Sequence, residues 1–201
     1  GFFYATLLKL YGGVPLLKTT LSFSDPIPSR SSEEDVYNFI ISDLDSAATL
    51  LPITQEEVGR ATKGAAIAEK AIISNFMNKY KEAAKYAKEL ITLGIYDLHP
   101  NYAELFLPTY ENNVEVIFDR QYMENAKDKS LGSDIDQFFA PQMMGGWEAV
   151  SPTKDLIDTY ECIDGKSIQE SPLYDENNPF LNRDPRLEYS ILHDGSVIAD
   201  K

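Results

Sequence analysis

A chain of 201 residues that is 43% apolar and 11% aromatic can form one domain, or a large part of one, around a substantial core. Its 32 acidic residues outnumber 18 basic ones, and the formal net charge of −14 excludes both the basic footprint of nucleic-acid binding and electrostatic docking on anionic lipid. Cys162 is the one cysteine, so neither an internal disulfide framework nor a multi-cysteine metal site can form, and no apolar run approaches the length of a membrane span.

Phe2, Phe3, Leu7, Leu10 and Tyr11 trace an apolar helical face that Gly12, Gly13 and Pro15 bring to an end. Residues 19–31 are rich in Pro and Ser and read as a loop. Ser31 and Glu34 then stand at the capping-box spacing. Val36, Ile40, Leu44, Ala47 and Leu51 continue as a helical stripe that closes at Pro52. Thr62 caps the next helix, whose small face of Ala65, Ala68 and Ala71, with Ile72 and Phe76, admits a close neighbour. After Asn78 and Lys79 the pattern restarts through Tyr80, Ala83, Ala84, Ala87, Leu90 and Ile91, with Gly94 as the C-terminal cap. Two such helices on a tight turn look like a tetratricopeptide-type hairpin. The helix before them is expected to pack alongside, because one hairpin cannot bury its apolar face alone.

The second half is less regular. Residues 102–106 read as a short helix, and residues 114–122 alternate with a strand period. Residues 123–150 read as a long irregular loop carrying Trp147, the one tryptophan, and loops of that length are usually functional or disordered. A helix follows from Thr153 through Tyr160, then a turn at Asp164-Gly165, and finally a possible strand at residues 187–193. The expected fold is therefore mainly α, with a helical part at 32–94 and a loop-rich part with short strands and helices at 95–201.

Chemistry is sparse. His99 and His193 are far apart and near turns, with no zinc-type pairing. Aligning Asp164-Gly165 as a calcium loop puts Tyr160 and Cys162 at ligand positions, so that reading fails. Asp175, Glu176, Asn177 and Asn178 could donate oxygens to calcium, and a hydrogen-bonded turn before Pro179 is the preferred reading. No carboxylate sits in a recognisable catalytic context, and no catalytic residue, metal ligand or cofactor is expected. Sugar binding asks for less: an aromatic face to stack on a pyranose, with amides, carboxylates and guanidinium groups around it. Trp147, with Gln142 and Asp134 from the same loop and Arg120 and Tyr122 from the segment entering it, forms the candidate set. Arg183 and Arg186, around Asp184-Pro185, read as a capped turn whose charges bond local carbonyls and carboxylates, and not as a sugar site.

The stretch NNPFLNRDPRLEYSIL, residues 177–192, resembles a signature of the SusD/RagB family of outer-membrane nutrient-binding lipoproteins. FFYATLLKLYGGVPLL (2–17), GRATKGAAIAEKA (59–71), NYAELFLPTYENNVEVIFDRQY (101–122) and SPTKDLIDTYECIDGK (151–166) occur in that family's order. The resemblance implies a SusD-like tetratricopeptide-type scaffold, with residues 1–201 an internal fragment of a single domain. It also implies non-catalytic capture of oligosaccharide and delivery to a TonB-dependent, SusC-like outer-membrane transporter. The protein would be a surface-exposed lipoprotein of Bacteroidetes, held at the outer membrane by a lipid on a cysteine upstream of this fragment, not on Cys162. A tetratricopeptide-type interaction scaffold or a peptide-binding transport partner is the alternative.

Overall fold

A computed structural model describes residues 1–22, 24–26, 28–123 and 132–197. Among them are seven α-helices: α1 (Phe2–Tyr11), α2 (Glu33–Leu50), α3 (Lys63–Phe76), α4 (Tyr80–Thr92), α5 (Ile135–Phe139), α6 (Lys154–Thr159) and α7 (Pro185–Ser190). The chain divides into two compact units, residues 1–100 with 111–121, and residues 101–110 with 122–201.

The first unit holds α1 to α4. Its core is Ala5 and Leu8 from α1, Val36, Tyr37, Ile40, Leu44 and Ala48 from α2, Ala66, Ile67 and Ile73 from α3, and Tyr86 from α4. The α2 stripe follows its spacing at Val36, Ile40 and Leu44; beyond them Tyr37 and Ala48 are buried, and the expected Ala47 and Leu51 are only half-buried. Ile40, Ile67 and Ile73 are fully buried, and each such side chain contributes about 1.5–3 kcal/mol of transfer free energy. The cap of α2 lies one residue later than the capping-box spacing suggests. Ser32 Oγ accepts from the Asp35 N–H at 3.1 Å, while the Ser31 N–H is engaged by the Val14 carbonyl at 3.2 Å. Thr62 does cap α3, accepting from the Ala65 N–H, and Gly94 follows α4 with φ of 66°.

The buried face of α3 departs from expectation. Gly64, Ala66, Ile67, Glu69, Lys70, Ile73 and Ser74 are buried, and the small-residue face of Ala65, Ala68 and Ile72 is not. Helix α3 packs on α1, α2 and α4, so its contact arc is too wide for one stripe. Two charged residues fall inside that arc because each has a partner: Lys70 Nζ lies 2.8 Å from Asp45 and 4.4 Å from the Tyr86 ring centroid, and Glu69 accepts from Lys9 at 3.3 Å. The Tyr37 hydroxyl and Ser74 Oγ share a buried hydrogen bond of 3.0 Å.

No strand forms among the described residues; one isolated bridge pairs Cys162 with Arg183. Residues 114–122 are turns and bends, and burial does not alternate along them: Val114 and Phe118 are exposed, and Glu115, Val116 and Ile117 are half-buried. The alternation has no neighbouring strand to pair with, and the segment is held by isolated bonds, Asp97 N–H to Val114 O and His99 N–H to Glu115. Residues 102–106 form successive turns, not a helix. The strand expected at 187–193 is helix α7 over its first part. Asp184 caps it by accepting from the Arg186 N–H at 2.9 Å, Pro185 supplies a pre-set φ at the first turn, and Leu187 and Ile191 are buried four residues apart.

Candidate functional site

Residues 134–149, which the sequence presents as irregular loop, build a small folded motif in the second unit. Helix α5 leads through Pro141 into a 3₁₀ turn at Gln142–Met144, and Gly145, at φ of 82°, reverses the chain. The returning segment is tied back onto α5. Trp147 N–H donates to Gln137 O at 2.7 Å, Ala149 N–H to Phe138 O at 2.9 Å and Glu148 N–H to Ala140 O at 3.2 Å. Gly146 is confined to glycine by this return, since an added Cβ would fall on the Ala140 carbonyl.

The motif sets Trp147 in place. Its indole meets the Phe138 ring edge-on, with centroids 5.0 Å apart and planes at 79°, and the residue is 52% exposed. An indole that is anchored on one side and open on the other is a stacking platform. Gln142 is exposed on the turn of the same motif, and Asp134 stands at its start, its carbonyl accepting from Gln137 and Phe138. Beside the motif lies a hollow of about 530 Å³ whose walls include Phe139, Pro141, Glu148, Val150, Leu156, Tyr160 and Leu192. Sequence reasoning missed its apolar walls, because α6 and residues 190–192 join them from elsewhere in the chain.

The other two candidates come from outside residues 134–149. Tyr122 is half-exposed in the second unit. Arg120 belongs to the first unit, where it lines a hollow of about 1080 Å³ with Phe2, Arg60, Ala65, Ala68, Ile72 and Phe118. The α3 face expected to receive a partner helix thus forms a wall of this hollow, and Phe118 packs edge-on against Phe2 at 6.0 Å.

Polar side chains elsewhere in the second unit are structurally engaged. The Asp175 carboxylate accepts from the side chain of Asn178 at 2.7 Å and the backbone of Asn177 at 2.9 Å, bonds that hold it below the usual carboxylate range. This is the hydrogen-bonded turn expected before Pro179. His193 is stacked on Phe180 with centroids 3.8 Å apart, its Nε2 2.8 Å from Glu188 and its Nδ1 2.7 Å from the Asp194 carbonyl. Among the described residues no group of three or more His, Cys, Asp or Glu is disposed to hold a metal ion, and no helix is long and apolar enough to cross a membrane.

Residues 114–201 match the family described as "SusD family", and residues 1–76 match "Starch-binding associating with outer membrane". The chain belongs to the SusD/RagB family. A SusD-like carbohydrate-binding protein from Bacteroides fragilis superposes on 96% of the chain, and 38% of its own length, with a TM-score of 0.85 at 33% identity. A SusD-like protein of Bacteroides ovatus is 29% identical over 96% of the chain and 36% of its own length. A further similar structure, solved with xylogluco-oligosaccharide, covers 80% of the chain and 36% of its own, at 25% identity and a TM-score of 0.67. The chain thus spans less than two-fifths of the length of these relatives.

Proposed function

We propose that the protein captures oligosaccharide without transforming it and delivers it to a TonB-dependent, SusC-like transporter. In this reading residues 1–201 are part of a single SusD-like domain, with 32–94 its helical part and 95–201 its loop-rich part. A lipid outside this segment would hold the protein on the outer face of the outer membrane. The likeness over 96% of the chain to a protein described as carbohydrate-binding supports the reading, as does the similar structure solved with a xylogluco-oligosaccharide. The observation that carries it is the Trp147 indole, held by the edge-on Phe138 contact and half-exposed to solvent. Stacking there on the C–H face of a pyranose, with Gln142 and Asp134 to bond hydroxyls, needs no catalytic group. Tyr122 and Arg120 are proposed as further contacts.

Fluorescence titration tests this directly, because Trp147 is the one tryptophan. Xylogluco- and malto-oligosaccharides are titrated into the protein, and the mixtures are analysed for cleavage after long incubation. A saturable shift with one sugar class and no product is expected. Trp147→Ala, followed by calorimetry, should weaken that binding by about three- to tenfold, the worth of one aromatic stacking contact. A flat fluorescence signal together with no heat for any sugar overturns the glycan reading, and binding of an unstructured peptide in its place would favour a peptide-transport partner.

A further inference from the structure

The second unit has another hollow, of about 460 Å³, whose chemistry differs from the apolar one beside the Trp147 motif. Its walls are Tyr102, Leu156, Thr159 and Tyr160 with the charged side chains of Glu161, Asp184 and Arg186. Tyr102 comes from more than 80 residues away and is fixed on three sides. Its hydroxyl shares a 3.1 Å hydrogen bond with Ser190 Oγ, Phe106 meets its ring edge-on at 5.9 Å, and Tyr189 lies tilted at 6.5 Å.

The guanidinium is equally well placed. Arg186 Nε donates to both Asp184 oxygens, at 3.0 and 2.9 Å, and Nη2 also donates to Asp184 Oδ2. This fork occupies one edge of the group, so Nη1 has no part in it. Arg186 remains 61% exposed while Asp184 is 14% exposed. Glu161, whose backbone carbonyl accepts from the Asp184 N–H at 2.8 Å, is exposed and adds a second carboxylate to the lining. The hydrogen bonds from Arg186 hold Asp184 below the ordinary carboxylate range.

We infer that this hollow is a second carbohydrate contact, taking a neutral sugar residue among Tyr102, Arg186 and Glu161. The inference rests on the oligosaccharide-binding reading and extends it. An aromatic wall facing a donor and an acceptor is the arrangement a pyranose needs, with its apolar C–H face on one side and its hydroxyls on the other. Two carboxylates against one guanidinium leave the hollow net negative, within a chain of net charge −14, and this disfavours uronic and other acidic sugars. The hollow shares Leu156 and Tyr160 with the one beside the Trp147 motif, so the two are neighbours. A long oligosaccharide engages both; a short one engages only one.

Calorimetry with neutral xylogluco- and cello-oligosaccharides of increasing length, and with oligogalacturonate of matched length, tests this in the wild type, Arg186→Gln, Tyr102→Leu and Trp147→Ala. Affinity for neutral oligosaccharides should rise with length. Arg186→Gln and Tyr102→Leu should each lower it by about three- to tenfold for the longer ligands and leave the shortest unchanged. Arg186 is exposed and its substitution leaves the Asp184 cap in place, so Arg186→Gln remains informative should Tyr102→Leu fail to fold. If wild type binds and Trp147→Ala weakens binding, but Arg186→Gln matches wild type at every length, the second contact is wrong and the first stands. If wild type binds no neutral sugar, both fall; if it prefers the oligogalacturonate, the neutral assignment is overturned.

Discussion

Arg183 offers the sharpest test of how the second unit is held together. Its side chain comes from the loop before α7, 5% exposed, and reaches back more than 20 residues to the end of α6. Nη2 donates to the carbonyls of Ile157 and Tyr160 at 2.7 and 2.8 Å, and Nη1 to that of Pro179 at 2.7 Å. Two of the three acceptors are carbonyls at the C-terminus of α6, where helical partners run out and a cation is favoured. The Tyr174 ring lies 5.7 Å away, and among the described residues no carboxylate pairs with Arg183.

The magnitude follows from opposing terms. Hydrogen bonds from a charged donor contribute about 1.5–3 kcal/mol each, so three would give about 5–9 kcal/mol if additive. Burying the cation costs several kcal/mol in return, and Nε is buried without a partner. Arg183→Met removes that desolvation cost but leaves the Tyr160 and Pro179 carbonyls to find water, while that of Ile157 keeps the Tyr160 N–H at 3.3 Å, and a net loss of about 2–4 kcal/mol is expected. Arg183→Lys keeps the charge and can satisfy two acceptors at most, for a loss of about 1–2 kcal/mol. Urea unfolding followed by Trp147 fluorescence measures both, since that residue lies in the same unit. If Arg183→Met proves as stable as wild type, the buried guanidinium is not what secures α6. If Lys and Met variants unfold together, charge is irrelevant and the reasoning fails at the helix terminus.

Two further perturbations address other parts of the fold. At Gly64, near the start of α3, an added Cβ would land on the Tyr96 ring, within 2.7 Å of Cζ, whereas the Tyr96 hydroxyl now bonds Thr62 at 3.1 Å. Gly64→Ala should destabilise by about 1–3 kcal/mol despite better helix propensity, and should turn stabilising in a Tyr96→Ala background; thermal unfolding by circular dichroism decides, and equal effects in both backgrounds would refute the clash. His193 is the pH-sensitive group. Burial alone would lower its pKa, but the Glu188 carboxylate and the Asp194 carbonyl, both acceptors, outweigh burial and raise it above the ordinary value near 6.5. The stabilisation is therefore fully present below pH 6.5 and fades as pH rises through the folded-state value, and a Glu188→Gln variant with an unchanged pH–stability profile would contradict it.

Helices α1 to α4 are legible as helices because each signal is local: apolar residues at helical spacing, Thr62 at a cap, glycine after α4; the face read for α1 is not, since Phe2, Phe3, Leu7, Leu10 and Tyr11 are exposed and Ala5 and Leu8 are buried instead. The face of α3 is not legible, because Glu69 and Lys70 interrupt its apolar arc. They are buried only because Lys9, Asp45 and Glu89 come from three other helices to meet them. A single-sequence reading assigns such residues to solvent by default. The strand expected at 114–122 fails for the complementary reason: alternation is a statement about two faces, and it makes a strand only where another strand supplies the ladder.

The candidate site divides along the same line. Trp147 and Gln142 can be chosen from sequence, since a lone indole amid polar residues in a long loop is a local signal. What gives Trp147 a defined orientation is not local in that sense: Gly146 must lack a Cβ for the chain to lie against Ala140, and α5 is too short for its period to be seen. The hollow at Arg186 lies further out of reach. Its sequence signal, NRDPRL, reads as a capped turn with charges bonding carbonyls and carboxylates, and Arg183 spends its donors in that way. Arg186 differs in being 61% exposed, and Tyr102 reaches it only because Ser190 and Tyr189 on α7 hold that ring. Two arginines three residues apart in one motif thus take opposite roles, one buried in the scaffold and one at the surface, and tertiary placement alone separates them.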